Sequence, residues 1–178
     1  MLRKYFFPKE SATSVHAIDY AKLWQNGIRG LIFDIDNTLV TFDIAKPTDK
    51  VIQLFEKLSA MGFVICLLSN NNEERVKYFC GNLSHPYIWK AKKPGRKSIA
   101  RALALLSLSK NQVAIIGDQI FTDCLGGNLF GIHTILTTPI AKRDEWTVRL
   151  KRWPEKPILR AYARSIRKSE DRRQKTGQ

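Results

Sequence analysis

The sequence has few acidic residues for its size. It contains 16 Asp and Glu against 30 Lys and Arg, which gives a formal net charge of +14 over 178 residues. A chain of this kind presents a positive field, so anionic partners are favoured over cationic ones. The excess is uneven, because residues 141–178 hold thirteen basic and five acidic groups. The C-terminal part is therefore the most cationic part of the protein.

Cysteine and long apolar runs are also scarce. The three cysteines, Cys66, Cys80 and Cys124, form no CxxC pair and leave an odd count. This excludes a disulfide framework and a zinc knuckle. No stretch reaches the roughly 18 apolar residues of a transmembrane helix, and residues 1–8 lack the apolar segment of a signal peptide. We expect a cytoplasmic protein.

Short apolar runs alternate with longer amphipathic stretches. The runs predict strands over residues 30–33, 63–68, 87–89, 113–116 and 132–136. Helices are predicted over residues 15–25, 48–61, 72–80, 95–106 and 122–130. This alternation predicts an α/β fold with a doubly wound, mainly parallel, five-stranded sheet. Ligands of such folds bind beyond the carboxyl ends of the strands.

Three regions are expected along the chain. Residues 1–29 form an N-terminal extension with a helix, residues 30–140 form the α/β core, and residues 141–178 form a basic C-terminal helix and tail. A chain of this length buries enough apolar surface for one sizeable core. One folded domain is therefore the default.

Polar residues follow the predicted strands where each strand ends. They are Asp34 and Asp36, Ser69 and Asn70, Lys93, Asp118 and Asp123. Because the carboxyl ends of parallel strands meet at one edge of the sheet, these side chains are expected to lie together. Taken singly, most of them have a simpler explanation: a turn at Asp36 or Asp118, a helix cap at Ser69 and Asn70, the start of a helix at Asp123, or a solvated charge at Lys93.

Together, these residues resemble the four motifs of the haloacid dehalogenase (HAD) superfamily, in the order that family uses. The motifs are Asp34-x-Asp36-x-Thr38, Ser69, Lys93 and Gly117-Asp118-x-x-x-x-Asp123. The resemblance spans residues 30 to about 138 and implies a HAD-like Rossmannoid core. It also implies a magnesium-dependent phosphatase that hydrolyses phosphomonoesters.

The resemblance implies a nucleophile and a proton carrier. A carboxylate such as Asp34 can attack phosphorus directly, which splits hydrolysis into formation and breakdown of an acyl phosphate. Asp36 would protonate the departing oxygen and then deprotonate water.

The resemblance also implies a cation site and a phosphate site. Mg²⁺ would be bound by the Asp34 side chain, the Asp36 backbone carbonyl and Asp118, with Asp123 as a further ligand or as support. Phosphate oxygens would be bound by Ser69, through its hydroxyl and backbone N–H, by Asn70 and by Lys93.

The spacing of the motifs leaves no room for a cap domain. Asp34 and Ser69 are 35 positions apart, and Ser69 and Lys93 are 24 apart. An open site favours a substrate whose bulk lies outside the pocket. The motifs resemble those of the capless subclass III phosphatases, specifically the bacterial YqeG-like group. That group is similar to the mitochondrial phosphatidylglycerophosphate phosphatases, which implies a phospholipid precursor as a candidate substrate.

The basic C-terminal region has two apolar stripes at helical spacing, Trp146, Leu150 and Trp153, and then Ile158, Tyr162 and Ile166. Pro154 and Pro157 are expected to divide them. A basic amphipathic segment of this kind favours peripheral contact with an anionic membrane. The alternative is that its first part packs on the domain and the end from Lys168 onward is solvated and disordered.

Two other functions compete with the phosphatase. The basic tail is compatible with a nucleic-acid or ribosome-associated binding module on a HAD scaffold, because binding to a phosphate backbone needs clustered Lys and Arg. No recognised RNA-binding motif accompanies it. A receiver domain also uses Asp, Thr and Lys at strand ends, but its phosphorylated Asp follows a middle strand rather than the first.

Overall fold

The computed structural model describes residues 3–141 and 155–176. The chain forms two compact units, Met1–Lys142 and Arg143–Gln178. The first unit contains six strands: β1 (Glu10–Ala12), β2 (Gly30–Phe33), β3 (Val64–Leu68), β4 (Tyr87–Ile88), β5 (Val113–Gly117) and β6 (His133–Thr137). They form one parallel sheet in the order β1-β6-β5-β2-β3-β4. The α/β prediction is confirmed.

The sheet has one strand more than the five predicted. Strand β1 comes from the region expected to be an extension, and it pairs in parallel with β6 from Glu10 opposite Ile135 to Ala12 opposite Thr137. Its sequence, Glu-Ser-Ala, has neither an apolar run nor alternation. Pairing with β6, which is distant in sequence, makes this segment extended, rather than local preference.

Six helices belong to the first unit: α1 (Arg3–Phe6), α2 (Tyr20–Gln25), α3 (Asp49–Ala60), α4 (Glu73–Cys80), α5 (Arg96–Leu106) and α6 (Leu125–Phe130). The predictions for α3, α4 and α5 are confirmed. Thr48 and Asn72 cap α3 and α4, because their side chains accept hydrogen bonds from the backbone N–H groups three residues on.

Two predicted helices are interrupted. The helix expected over residues 15–25 is a short 3₁₀ turn, Val15–Ala17, followed by α2. Between them Ile18 is extended, and the Asp19 side chain caps α2 by accepting from the Lys22 N–H at 2.9 Å. The helix expected over residues 122–130 begins instead as a π-helical turn, Ile120–Cys124, and only then becomes α6.

The core covers both faces of the sheet. All four residues of β2 and all five of β5 are buried. On one face Phe33 packs against Phe55 of α3, and on the other Ile32 and Ile115 lie in a cluster with Ile99 of α5. Strands buried on both faces explain the apolar runs without polar alternation.

The described part of the second unit is one helix, α7 (Glu155–Thr176). Pro157 lies in the first turn of α7, where no N–H donor is needed, so the helix continues through it. Ile158, Tyr162 and Ile166 are half-buried. The helix continues past Lys168, so the expected disordered end does not begin there. Trp146, Leu150, Trp153 and Pro154 lie outside the described residues, so the division of the two stripes stays a prediction. No described helix is long and apolar enough to cross a membrane.

Candidate active site

The first motif leaves β2 in a tight turn. The Ile35 carbonyl accepts hydrogen bonds from the backbone N–H groups of Thr38, Leu39 and Val40 at 2.9 to 3.3 Å. Asn37 has φ of 64°, a left-handed conformation that asparagine tolerates better than most residues. The turn that the sequence predicts at Asp36 does form. Asp34 lies before this turn and Asp36 lies within it, so the turn positions both carboxylates.

Four charged side chains meet beside this turn, and we call Asp34, Lys93, Asp118 and Asp123 the Lys93 cluster. The Lys93 Nζ donates to Asp34 Oδ1 at 2.6 Å and to Asp123 Oδ1 at 2.7 Å. The Thr38 hydroxyl lies 3.5 Å from Asp34 Oδ2 and 3.3 Å from Asp118 Oδ1. All four members are buried. The interpretation of Lys93 as a solvated surface charge is therefore wrong.

Burial and neighbouring charges shift the pKa values of Asp34 and Lys93. It raises the pKa of Asp34 from 3.8 to about 7, an increase that Lys93 opposes and that Asp123 and Asp36 add to. Burial by itself would lower the pKa of Lys93, but the neighbouring carboxylates of Asp123 and Asp34 raise it above its ordinary value. Lys93 is thus a permanent cation beside a carboxylate that needs counter-charge to stay ionised at neutral pH.

Gly117 and the π-helical turn bring Asp123 into the cluster. A Cβ atom at Gly117 would collide with the carboxyl group of Asp123, so only glycine fits there. The Asp123 Oδ2 accepts from the Gln119 N–H and from the Thr122 hydroxyl, both at 3.2 Å. Since Lys93 binds the other oxygen, both carboxylate oxygens of Asp123 have protein donors. This pattern favours a supporting role over direct metal ligation.

Ser69 and Asn70 follow β3 and are tied to the neighbouring strand. The Ser69 N–H donates to the Ile88 carbonyl at 3.0 Å, so the hydroxyl rather than this N–H is left to meet a phosphate. The Asn70 Oδ1 accepts from the Lys93 N–H at 2.7 Å, and its Nδ2 donates to the Lys93 carbonyl at 3.5 Å. Asn70 therefore holds the backbone of Lys93, which the sequence does not indicate.

Asp36 lies in a separate group, the Arg75 cluster, which consists of Asp36, Asn71 and Arg75. The Arg75 Nη2 donates to Asp36 Oδ1 at 3.0 Å, and the Asn71 Nδ2 donates to Asp36 Oδ2 at 3.2 Å. Sequence reasoning missed both partners of Asp36. The only available signal was Asn72, whose role as the cap of α4 places Arg75 in the first turn of that helix.

The Lys93 cluster suits a hard divalent cation. Carboxylate oxygens of Asp34, Asp118 and Asp123 all lie within 4.8 Å of one another. Three carboxylates and one ammonium leave two negative charges in excess when all are ionised. Oxygen ligands and a negative site are what Mg²⁺ requires. The residues present therefore fit the ion.

The seven predicted site residues gather at one edge of the sheet. Asp34, Ser69, Lys93, Asp118 and Asp123 are buried there, whereas Asp36 is partly open to solvent. Cys124, the neighbour of Asp123, is a free and buried cysteine, which is typical of a packing residue. In arrangement, the site combines a carboxylate beside a fixed ammonium, a cation-binding acidic set and a second, half-buried carboxylate.

Comparison with known proteins identifies the family. A family model described as HAD-hydrolase-like matches residues 90–164. A protein of Bacillus subtilis (strain 168) named "Probable phosphatase YqeG" is 42% identical over 164 residues, which cover 92% of this chain and 95% of that protein. The Arabidopsis thaliana protein named phosphatidylglycerophosphate phosphatase 1, chloroplastic/mitochondrial, is 24% identical over 91% of this chain and 49% of its own length.

A solved structure shares the fold. A HAD family enzyme from Bacteroides thetaiotaomicron, solved in complex with magnesium and inorganic phosphate, superposes with a TM-score of 0.51. The match has 15% identity and covers 68% of this chain and 99% of that one. The alternative of a nucleic-acid-binding module is not favoured by these relatives. The chain belongs to the YqeG family of phosphatases, within the HAD-like hydrolases.

Proposed function

We propose that this phosphatase works in two steps through a phospho-aspartyl group on Asp34. The observation that carries the proposal is the placement of Asp34 at the end of β2, 2.6 Å from the Lys93 ammonium and within 4.8 Å of Asp118 and Asp123. In the first step Asp34 attacks phosphorus, and the bond to the leaving oxygen breaks while Asp36 donates a proton to that oxygen. In the second step water attacks phosphorus, Asp36 takes its proton, and Asp34 and phosphate are released.

The charged side chains of the site divide the work of binding phosphate. Mg²⁺ held by Asp34, Asp118 and the Asp36 carbonyl would neutralise phosphate charge and keep Asp34 ionised. The Ser69 hydroxyl and the Lys93 ammonium would contact phosphate oxygens, and Asn70 would hold Lys93 in place. Asp123 would anchor Lys93 from the other side.

The two-step mechanism is tested by trapping phosphate on the protein. Acid quenching during turnover, followed by peptide mass spectrometry, should find phosphate on the peptide that contains Asp34. With dinitrophenyl phosphate, whose leaving group departs without a proton, the phosphorylated fraction should rise in Asp36→Asn, because formation is spared while breakdown lacks its base. Asp34→Asn should abolish both the labelled peptide and Mg²⁺-dependent phosphate release. Undiminished turnover in Asp34→Asn would refute the nucleophile.

We further propose a bulky, lipid-linked phosphomonoester such as phosphatidylglycerophosphate as the substrate. The 41–47 segment after the first motif, α3 and β3 fill the interval to Ser69, and α4 and β4 fill the interval to Lys93, so no cap is inserted. Phe42 and Ile140 are exposed by 51% and 48%, and the Ile140 N–H bonds to the Asn37 carbonyl of the first motif. Exposed apolar side chains that follow the first motif in the chain, or whose backbone bonds to it, suit an acyl-bearing substrate.

The substrate proposal is tested with lipid and water-soluble phosphates in parallel. Phosphatidylglycerophosphate in mixed micelles should be hydrolysed with a higher kcat/KM than glycerol phosphate. Phe42→Ser should lower kcat/KM for the micellar substrate and leave the value for glycerol phosphate unchanged. Equal values for the two substrates would instead indicate that the lipid part is not recognised.

We place the enzyme in the cytoplasm, where α7 would bring it to an anionic membrane. The exposed side chains of Arg160, Arg164 and Arg167 on that helix support this location, since basic groups near a membrane surface add affinity for anionic lipids. Full-length protein should co-sediment with phosphatidylglycerol vesicles but not with phosphatidylcholine vesicles. The triple change of these arginines to Gln should weaken that binding, and unchanged binding would contradict it.

A further inference from the structure

The Arg75 guanidinium, on α4, donates hydrogen bonds only to groups outside that helix among the described residues. Its Nη2 donates to Asp36 Oδ1 at 3.0 Å and to the Ile44 carbonyl at 2.7 Å, and its Nη1 donates to the Ala45 carbonyl at 3.0 Å. Its side chain is 13% exposed. One guanidinium thus joins the second carboxylate of the first motif to the backbone of the 41–47 segment.

The 41–47 segment, which Arg75 binds through two carbonyls, lies next to the first motif in the chain. Only two residues separate its start from Thr38, the last residue of that motif. Here it is short, and α4 holds it through Arg75 and through Lys46, whose Nζ lies 5.4 Å from the centre of the Tyr78 ring. The segment is therefore fixed against the helix beside Asp36.

Among the residues that the structure describes, Arg75 is the one charged side chain that forms an ion pair with Asp36. Asn71 donates to the second carboxylate oxygen at 3.2 Å, so the two donors hold both oxygens from the side of α4. A planar guanidinium that binds a carboxylate and two carbonyls at once sets direction as well as charge. Because no cap closes over the substrate in this open site, the Arg75 guanidinium would orient the Asp36 carboxylate.

We propose that Arg75 is a positioning residue of the phosphatase, which holds the Asp36 carboxylate and the 41–47 segment in the geometry needed for proton donation to the leaving group. The inference rests on the proposed function of Asp36 as general acid. It assigns Arg75 no contact with the transferred phosphate, and its effect acts through Asp36 alone.

The test is the dependence of kcat/KM on the leaving group. Because kcat/KM reports the reaction up to departure of the leaving group, it is sensitive to proton donation and insensitive to the later hydrolysis of the phospho-aspartyl group. With phenyl phosphate, whose leaving group needs a proton, Arg75→Met should lower kcat/KM by about 10- to 100-fold. With dinitrophenyl phosphate, whose leaving group departs unaided, the loss should be less than about threefold on the same reasoning.

Three further variants fix the interpretation. Lys77→Met is the matched control, since Lys77 is an exposed cation on the same helix that pairs with Glu73, and it should match wild type with both substrates. Arg75→Lys keeps the charge and provides a second variant if Arg75→Met does not fold; it should show the same leaving-group-dependent loss at smaller size. In Asp36→Asn, which should already show the steep dependence, adding Arg75→Met should steepen it no further.

The outcomes separate the two proposals. A loss that grows with leaving-group basicity in the Arg75 variants supports the inference. An equal loss with both substrates, no loss, or further steepening on top of Asp36→Asn overturns it. If Asp34→Asn abolishes turnover while the Arg75 variants keep the wild-type dependence, only the role of Arg75 fails. If Asp34→Asn or Asp36→Asn turns over like wild type, the proposed mechanism fails and the inference fails with it.

Discussion

The Lys93 cluster and the Arg75 cluster each hold one carboxylate of the first motif, two residues apart but at different depths. In the Lys93 cluster the side chains of Lys93 and Asp34 are 3% and 9% exposed. In the Arg75 cluster the side chains of Arg75 and Asp36 are 13% and 19% exposed. Desolvation therefore dominates the first cluster, whereas water still reaches the second.

This difference matches the two chemical tasks. A nucleophile that meets phosphate needs fixed counter-charge in a dry site, because charge interactions are strong only where water is excluded. A group that gives and takes protons needs access to the leaving oxygen and to water. The Lys93 cluster supplies the first environment and the Arg75 cluster supplies the second, although Asp34 and Asp36 are neighbours along one turn.

The largest effect is expected for Lys93→Met. It removes the ammonium from two buried carboxylates, Asp34 and Asp123, and breaking one side of a buried ion pair costs about 3–5 kcal/mol of unfolding free energy. Turnover should fall by at least about 100-fold, because phosphate loses a fixed cation. Urea unfolding and phosphate release measure the two effects. The control is Lys97→Met, which replaces an exposed lysine on α5. Equal stability of the Lys93→Met and Lys97→Met variants would contradict the burial of Lys93.

The next effect is a pH dependence of stability that arises from Asp34. Burial raises its pKa from 3.8 to about 7, so between these values the folded protein holds a proton that the unfolded chain has lost. The free energy of unfolding should therefore fall as pH rises through this window, by up to about 1.4 kcal/mol per pH unit, and level off above about pH 7.

Urea unfolding in the presence of a chelator, from about pH 5 to about pH 8, measures this dependence. Asp34→Asn should remove the contribution, and Mg²⁺ should flatten it by favouring the ionised carboxylate. If wild type and Asp34→Asn gave parallel curves, Asp34 would not be the titrating group.

Much of this site was predictable because a parallel sheet converts sequence order into spatial proximity. The runs at β2 and β5 end in Asp34 and Asp118, and pairing of the two strands places those ends side by side. Once the strands were recognised, the meeting of the acidic residues followed from topology alone.

The remaining features depend on contacts that no local pattern carries. Strand β1 is extended because β6 lies beside it, and its three residues have no strand signature. The contact between Arg75 and Asp36 joins residues 39 positions apart, and the direction of the Asn70 side chain, toward the Lys93 backbone, is not encoded by spacing. The π-helical turn at Ile120–Cys124 reads as ordinary helix in sequence.

A smaller loss of stability is expected for Arg75→Met. The change removes a charge-assisted hydrogen bond to Asp36 and two bonds to the carbonyls of Ile44 and Ala45. Because water can replace some of these donors, the loss should be about 2 kcal/mol, below that of Lys93→Met. Urea unfolding of the two variants side by side measures the difference. A loss as large as that of Lys93→Met would show that the Arg75 cluster is as dry as the Lys93 cluster.

The smallest effect is expected for Lys77→Met. This variant distinguishes the effect of an ion pair's burial from the effect of its N···O distance. The Lys77 Nζ lies 2.7 Å from Glu73 Oε1, closer than Arg75 lies to Asp36 at 3.0 Å, yet the two side chains are 55% and 46% exposed. Water screens an exposed pair, so the melting temperature of Lys77→Met should equal that of wild type within error. If unfolding free energies of the three variants follow depth, Lys93→Met loses most and Lys77→Met least. If the loss of unfolding free energy followed the N···O distance instead, Lys77→Met would lose more than Arg75→Met. The contrast between the buried Asp34 and the partly exposed Asp36 would then fail.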